Sequence, residues 1–173
     1  EPYRRQRQMC IRDRVKTVAP TLDAVRSLGG FRTLPDYSFD TMPSDYASLV
    51  LIGGMQWQSP EAERIFPIVQ DAFEKGKVIG GICNAASFLC AHGFLNHVKH
   101  TGNTLAVLKQ WGGERYTNED GYLEKQAVGD KNIVTANGTG YLEFTRELLL
   151  ALKADTQEKI EAFYDFSKNG LVR

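Results

Sequence analysis

Three residue types in this chain could do covalent or proton chemistry at a site: cysteines 10, 83 and 90, histidines 92, 97 and 100, and the carboxylates. Cys83 has the most informative surroundings. The stretch Val78-Ile-Gly-Gly-Ile-Cys-Asn-Ala-Ala-Ser87 reads as an apolar strand that ends at a cysteine, with a helix starting directly after it. Gly81 lies two residues before the cysteine, and Ala85 and Ala86 lie two and three after. Small neighbours of this kind let a chain turn sharply and project the side chain over the strand's end, as in a nucleophile elbow. At a helix N-terminus the macrodipole favours thiolate over thiol. The competing reading is a structural cysteine, because free cysteine is often buried; the glycine and small-residue setting favours the reactive one.

A nucleophile attacking a carbonyl needs donors for the developing oxyanion. The backbone N–H of Asn84 and one from Gly53-Gly54, which end the preceding strand, are the candidates. Gly53-Gly54 taken alone reads rather as a simple turn. His100, in the polar loop Lys99-His-Thr-Gly-Asn103, is the candidate base, with an ordinary loop histidine as the alternative. His92 and His97 read as solvated. Cys90, His92, His97 and His100 have a superficial metal-ligand spacing but lack a paired C-x-x-C, so no metal is expected. Cys83 and Cys90 would stand about 10 Å apart on one helix, too far for a disulfide that needs under roughly 7 Å. No P-loop and no G-x-G-x-x-G opening a helix is present, so no cofactor is expected.

The elements around these residues alternate. Val15–Ala19 reads as a short strand, and Ala24–Ser27 with Phe31–Tyr37 as a hairpin about Leu28-Gly29-Gly30. The apolar run 49–52 suits a strand buried on both faces of a parallel sheet. A helix opens at Ser59-Pro60 and runs to about Lys75. Lys77–Ile82 is a strand, Asn84–Ala91 a helix stopped by Gly93, and Leu105–Trp111 a shorter helix. Tyr122–Val128 and Asn132–Ala136 read as strands about Gly129-Asp130-Lys131, followed by helices over 141–152 and 156–167. Strands alternating with helices predict a three-layer α/β/α fold with a mostly parallel sheet.

Residues Val78–Ser87 do not stand alone. Together, Leu51-Ile-Gly-Gly54, Gly80-Gly-Ile-Cys-Asn-Ala-Ala86, His100-Thr-Gly-Asn103 and Asn132-Ile-Val-Thr-Ala-Asn-Gly-Thr139 resemble the DJ-1/PfpI family of class I glutamine amidotransferase-like proteins. The resemblance implies a flavodoxin-like sandwich and a nucleophilic or redox-active Cys83. It also implies an oxyanion pocket from Gly54 and Asn84, a pocket border at Asn137-Gly138-Thr139, and a homodimer. The activity implied is hydrolase, amidase or glyoxalase chemistry on a small carbonyl, amide or peptide substrate. A non-enzymatic redox sensor or a chaperone-like stress protein is the alternative. Asn84 follows the cysteine where PfpI-type peptidases use histidine. Family members begin with a strand and helix that carry a glutamate beside the cysteine, and no residue in 1–14 matches it. The domain is therefore expected to run over 15–173 without that first strand and helix.

Composition adds bounds. The chain has 173 residues, 42% hydrophobic and 24% charged, and a net charge of zero with pI near 7.1. Those values suit one globular domain and recruit neither nucleic acid nor anionic membrane. No apolar run reaches the ~20 residues that span a bilayer. Three cysteines without a secretory leader suit a cytoplasmic setting. Residues 1–14 carry five arginines (4, 5, 7, 12, 14) against Glu1 and Asp13, a local charge of +3. A basic nucleic-acid arm is one reading; a disordered or foreign leader is the favoured one.

Overall fold

The computed structural model describes residues 15–27 and 29–171; the basic leader over 1–14 and Leu28 of the expected hairpin turn lie outside the described residues. Chain contacts group the residues up to Asp45 as one unit and those from Tyr46 as another.

In the first unit, β1 (Val18–Ala19) runs parallel to β4 (Tyr37–Ser38). The expected hairpin forms as two short antiparallel strands, β2 (Val25–Arg26) and β3 (Arg32–Thr33). The Asp36 carboxylate accepts from the backbone N–H and hydroxyl of Thr17, at 2.8 and 3.0 Å. Those bonds hold its pKa below the usual carboxylate value.

The second unit is built on a four-stranded sheet. Its order is β5 (Ser48–Leu51), β6 (Val78–Ile82), β8 (Ile133–Ala136), β7 (Ala127–Asp130). The first three are parallel, as their apolar runs require, and β7 closes one edge antiparallel to β8. Val78, Ile79, Gly80 and Gly81 are all buried, so β6 is covered on both faces. Its two glycines show by what. A Cβ at Gly80 would stand 2.8 Å from Leu148 and 2.9 Å from Phe144 of helix α5 (Tyr141–Ala151). A Cβ at Gly81 would stand 2.7 Å from Leu89 of helix α3 (Asn84–Ala91). Adjacent strand residues point to opposite faces, so helices approach the sheet closely from both sides. This is the three-layer α/β/α arrangement, a flavodoxin-like fold.

The helix expected over 60–75 is two helices, α1 (Pro60–Glu63) and α2 (Phe66–Glu74). Pro67 is the cause: its ring conflicts with the carbonyl four residues back, that of Glu63, and it has no N–H to donate there. Ser59 caps α1 by accepting from the Ala62 N–H. Helix α4 (Leu105–Gly112) is capped by Thr104, whose hydroxyl accepts from Val107 N–H at 3.1 Å. Helix α6 (Gln157–Asn169) is tied to α5 by Arg146, which donates to both Glu161 oxygens at 2.6 and 2.7 Å.

The strand expected from Tyr122 is shorter, because residues before Ala127 bond to a loop instead. Tyr122 makes one parallel bridge with His100, and Lys125 O accepts from the Thr101 hydroxyl at 2.9 Å. The β7–β8 turn is Lys131-Asn132, with Lys131 at φ 52°, and so begins two residues later than the expected Gly129-Asp130-Lys131.

Candidate active site

Cys83 sits between the last residue of β6 and the first of α3 with φ 61° and ψ −129°. A β-carbon is strained at such angles, which glycine adopts freely. The neighbours permit the conformation. Cys83 N–H donates to Ala136 O at 2.9 Å, holding it to β8. Gly53, just past β5, leaves the room: a Cβ there would lie 2.9 Å from the Cys83 Cβ. On the other side, a Cβ at Gly138, just past β8, would lie 3.2 Å from Sγ. The half-buried sulfur therefore stands over the carboxyl ends of three parallel strands, where ligands bind in open α/β sheets.

Asparagine side chains stitch these strand ends together. Asn84 Nδ2 donates to Gly54 O at 3.0 Å. Asn103 Nδ2 lies 3.2 Å from Asn84 Oδ1 and 3.4 Å from Cys83 Sγ. Asn103 Oδ1 accepts from Gly138 N–H at 2.9 Å. Asn84 also opens α3, and the first N–H groups of a helix have no intrahelical acceptor.

Cys83, Gly53, Gly54, Asn84 and Gly138 are thus brought together. Asn137 is adjacent, but its side-chain oxygen turns to its own loop, accepting from Thr139 N–H and hydroxyl at 3.0 and 2.9 Å. His100, expected as the base, is not brought to the sulfur. It is fully buried, and both ring nitrogens are engaged elsewhere. Nδ1 is 2.9 Å from Val98 O, an acceptor, so Nδ1 carries the proton. Nε2 then accepts from the Tyr116 hydroxyl at 2.7 Å. Burial lowers the His100 pKa and raises that of Tyr116. The ring is thus bonded within the interior, to Val98 and Tyr116, rather than to the sulfur.

The residue at the sulfur is Asn103, in the same His-Thr-Gly-Asn stretch. A histidine or carboxylate is the usual titratable partner of a thiol, and an amide does not titrate. The usable signal was position, since Asn103 directly precedes the Thr104 cap of α4.

Cys90 provides the contrast. It is wholly buried on α3, its thiol donates to Leu108 O at 3.4 Å, and burial pushes its pKa up to about 12. Such a thiol is inert. Among the described residues no group of three or more histidine, cysteine, aspartate or glutamate side chains gathers as a metal would need, and no helix is long and apolar enough to cross a membrane.

The fold recurs in known proteins. The chain is 40% identical over 146 residues to Bacillus subtilis YdeA, called an uncharacterized protease, covering 84% of this chain and 73% of that one. It is 33% identical over 156 residues to B. subtilis YoaZ, also called an uncharacterized protease, covering 90% and 74%. A crystal structure of a ThiJ/PfpI family protein from Bacillus anthracis superposes with a TM-score of 0.85 at 31% identity, covering 91% of this chain and 74% of that one. A DJ-1 superfamily protein from Agrobacterium tumefaciens gives 0.76 at 33% identity, covering 88% and 81%. The DJ-1/PfpI family profile matches residues 10–151. The chain belongs to the DJ-1/PfpI family.

Proposed function

We propose that the protein is a cysteine-dependent enzyme of hydrolase type, with Cys83 as nucleophile toward a small carbonyl, amide or peptide substrate. The observation that carries the reading is Cys83 at φ 61°, its sulfur projected between Gly53, Gly138 and Asn103. The family membership and the protease names of YdeA and YoaZ support a hydrolase-like role at the level of the family.

In the reaction, the Sγ lone pair forms a bond to the carbonyl carbon and the C=O π pair moves to oxygen. The Asn84 N–H at the start of α3, with Gly53-Gly54 beside it, is the donor set for that oxygen. On collapse the leaving nitrogen departs with the proton released by the thiol, leaving an S-acyl cysteine. Water then cleaves that thioester to the acid and frees the thiol. With an α-oxoaldehyde the same addition gives a hemithioacetal and needs no leaving group. Free thiols suit a cytoplasmic setting, and Cys83 and Cys90 are both unpaired. The family supports a homodimer. Light scattering of the intact protein is expected to give twice the 19.4 kDa chain mass.

A second reading, a redox sensor, is favoured by the Asn103 amide N–H aimed at sulfur. There Cys83 would lose two electrons to one hydrogen peroxide, giving sulfenate and water, and a second peroxide would give sulfinate.

The test follows hydrolysis of model amides and loss of methylglyoxal for the wild type and Cys83→Ser. Substitution is expected to lower the rate by about a thousandfold or more. Equal rates would remove the enzyme reading, and peroxide-dependent sulfinate at Cys83 without turnover would favour the sensor.

A further inference from the structure

We infer that Asn103 is the positioning residue for the Cys83 sulfur, in the place where a histidine would be sought. The inference rests on Cys83 being the reactive group, and its test does not depend on turnover.

The orientation of the two amides is fixed by partners that can act in only one way. Gly138 N–H can only donate, so the oxygen of Asn103 faces it. Gly54 O can only accept, so the nitrogen of Asn84 faces it and its oxygen faces back. Asn103 Nδ2 is left with two protons and two acceptors, Asn84 Oδ1 at 3.2 Å and Cys83 Sγ at 3.4 Å. One N–H is therefore given to the sulfur, and the opposite end of the same amide is held to the loop after β8.

The three residues before Asn103 are held just as firmly. The His100 ring bonds Val98 O and Tyr116. Thr101 N–H donates to the Thr135 hydroxyl on β8 at 2.8 Å. Gly102 passes beneath α4, where a Cβ would lie 2.9 Å from Leu108. Thr104 caps α4 directly afterwards. The buried histidine thus acts at a distance, by fixing a strap whose last residue reaches the thiol.

An amide donor differs from a histidine in what it does with pH. It supports negative charge on sulfur, or on oxygen added to it, without itself gaining or losing a proton between pH 5 and 10. Asn103→Asp is close in shape and keeps the acceptor for Gly138 N–H, but it replaces the N–H at sulfur with a carboxylate oxygen.

The experiment measures iodoacetamide alkylation of Cys83 in the full chain, read by mass spectrometry of its peptide from pH 5 to 10. Asn103→Asp is expected to slow alkylation at pH 7 by about tenfold and move the profile to higher pH. Asn103→Ala, which removes the donor without adding a charge, should slow it by about threefold with a smaller displacement in the same direction. The wild type should show one ascending step, without an inflection in the histidine range near 6.5. Circular dichroism identifies any variant that does not fold; if Asn103→Asp is one, Asn103→Ala decides. Wild-type alkylation rates and profiles in the folded variants would overturn the inference. A displaced profile in a protein that turns over neither amide nor oxoaldehyde would uphold it and remove the enzymatic reading instead.

Discussion

Gly81→Ala is expected to destabilise the protein by about 3 kcal/mol and lower its melting temperature by about 10 °C. The added Cβ would stand 2.7 Å from Leu89 Cδ1, and 3.3 Å from both the carbonyl carbon and oxygen of Ala85. Leu89 could rotate, but Ala85 is backbone in the first turn of α3 and cannot withdraw without dragging Cys83 with it. Gly80→Ala is the matched comparison on the opposite face. Its closest atoms are the tips of Leu148 and Phe144, which can repack, so about 1 kcal/mol is expected. Differential scanning calorimetry of the two variants tests the ranking. Alkylation of Cys83 should also fall in Gly81→Ala alone, since only that residue lies against the start of α3.

His100→Ala is expected to cost about 3 kcal/mol in urea unfolding at pH 8. It empties a fully buried ring site and strips the Tyr116 hydroxyl of its acceptor. Val98 O is less affected because Asn118 Nδ2 also donates to it, at 2.9 Å. Tyr116→Phe removes one bond and leaves the volume filled, so about 1 kcal/mol is expected. The pH dependence has a definite sign. Burial lowers the folded-state pKa of His100 below the usual 6.5, so below 6.5 the unfolded chain binds the proton first. The neutral, bonded ring contributes its stability fully above 6.5, and that contribution is lost as the pH falls through the folded-state value. Unfolding titrations from pH 8 to 5 should therefore show a decline in wild type that is flatter in His100→Ala. Identical slopes would show that the ring does not titrate differently on folding.

The parallel sheet was legible because its strands are short apolar runs with a sharp end, at Gly53-Gly54 after Leu49–Ile52 and at Cys83 after Val78–Ile82. The α3 boundaries were legible for a similar local reason, a cysteine between a glycine-rich strand and small helix formers. Pro67 splits a helix that periodicity alone joins, a local signal that the apolar pattern overrides. The rest of what escaped the sequence is non-local: the segment after Tyr122 pairs with residues about twenty positions away rather than with the sheet. His100 shows the same limit at the site. Its polar neighbours suggest a solvated loop, yet Tyr116 and Val98 supply both ring bonds in the interior. Asn103 carries no titratable signature, so only the assembled geometry sets it beside the sulfur.

The backbone of Cys83 has a consequence for how this position can change over time. At φ 61° and ψ −129° any residue with a β-carbon costs about 1–3 kcal/mol relative to one in a relaxed conformation. The substitution that relieves the cost most completely is glycine, which is also the one that deletes the sulfur. Drift filtered by stability alone would therefore empty this position of cysteine. A lineage that keeps the thiol does so under selection for what the thiol does.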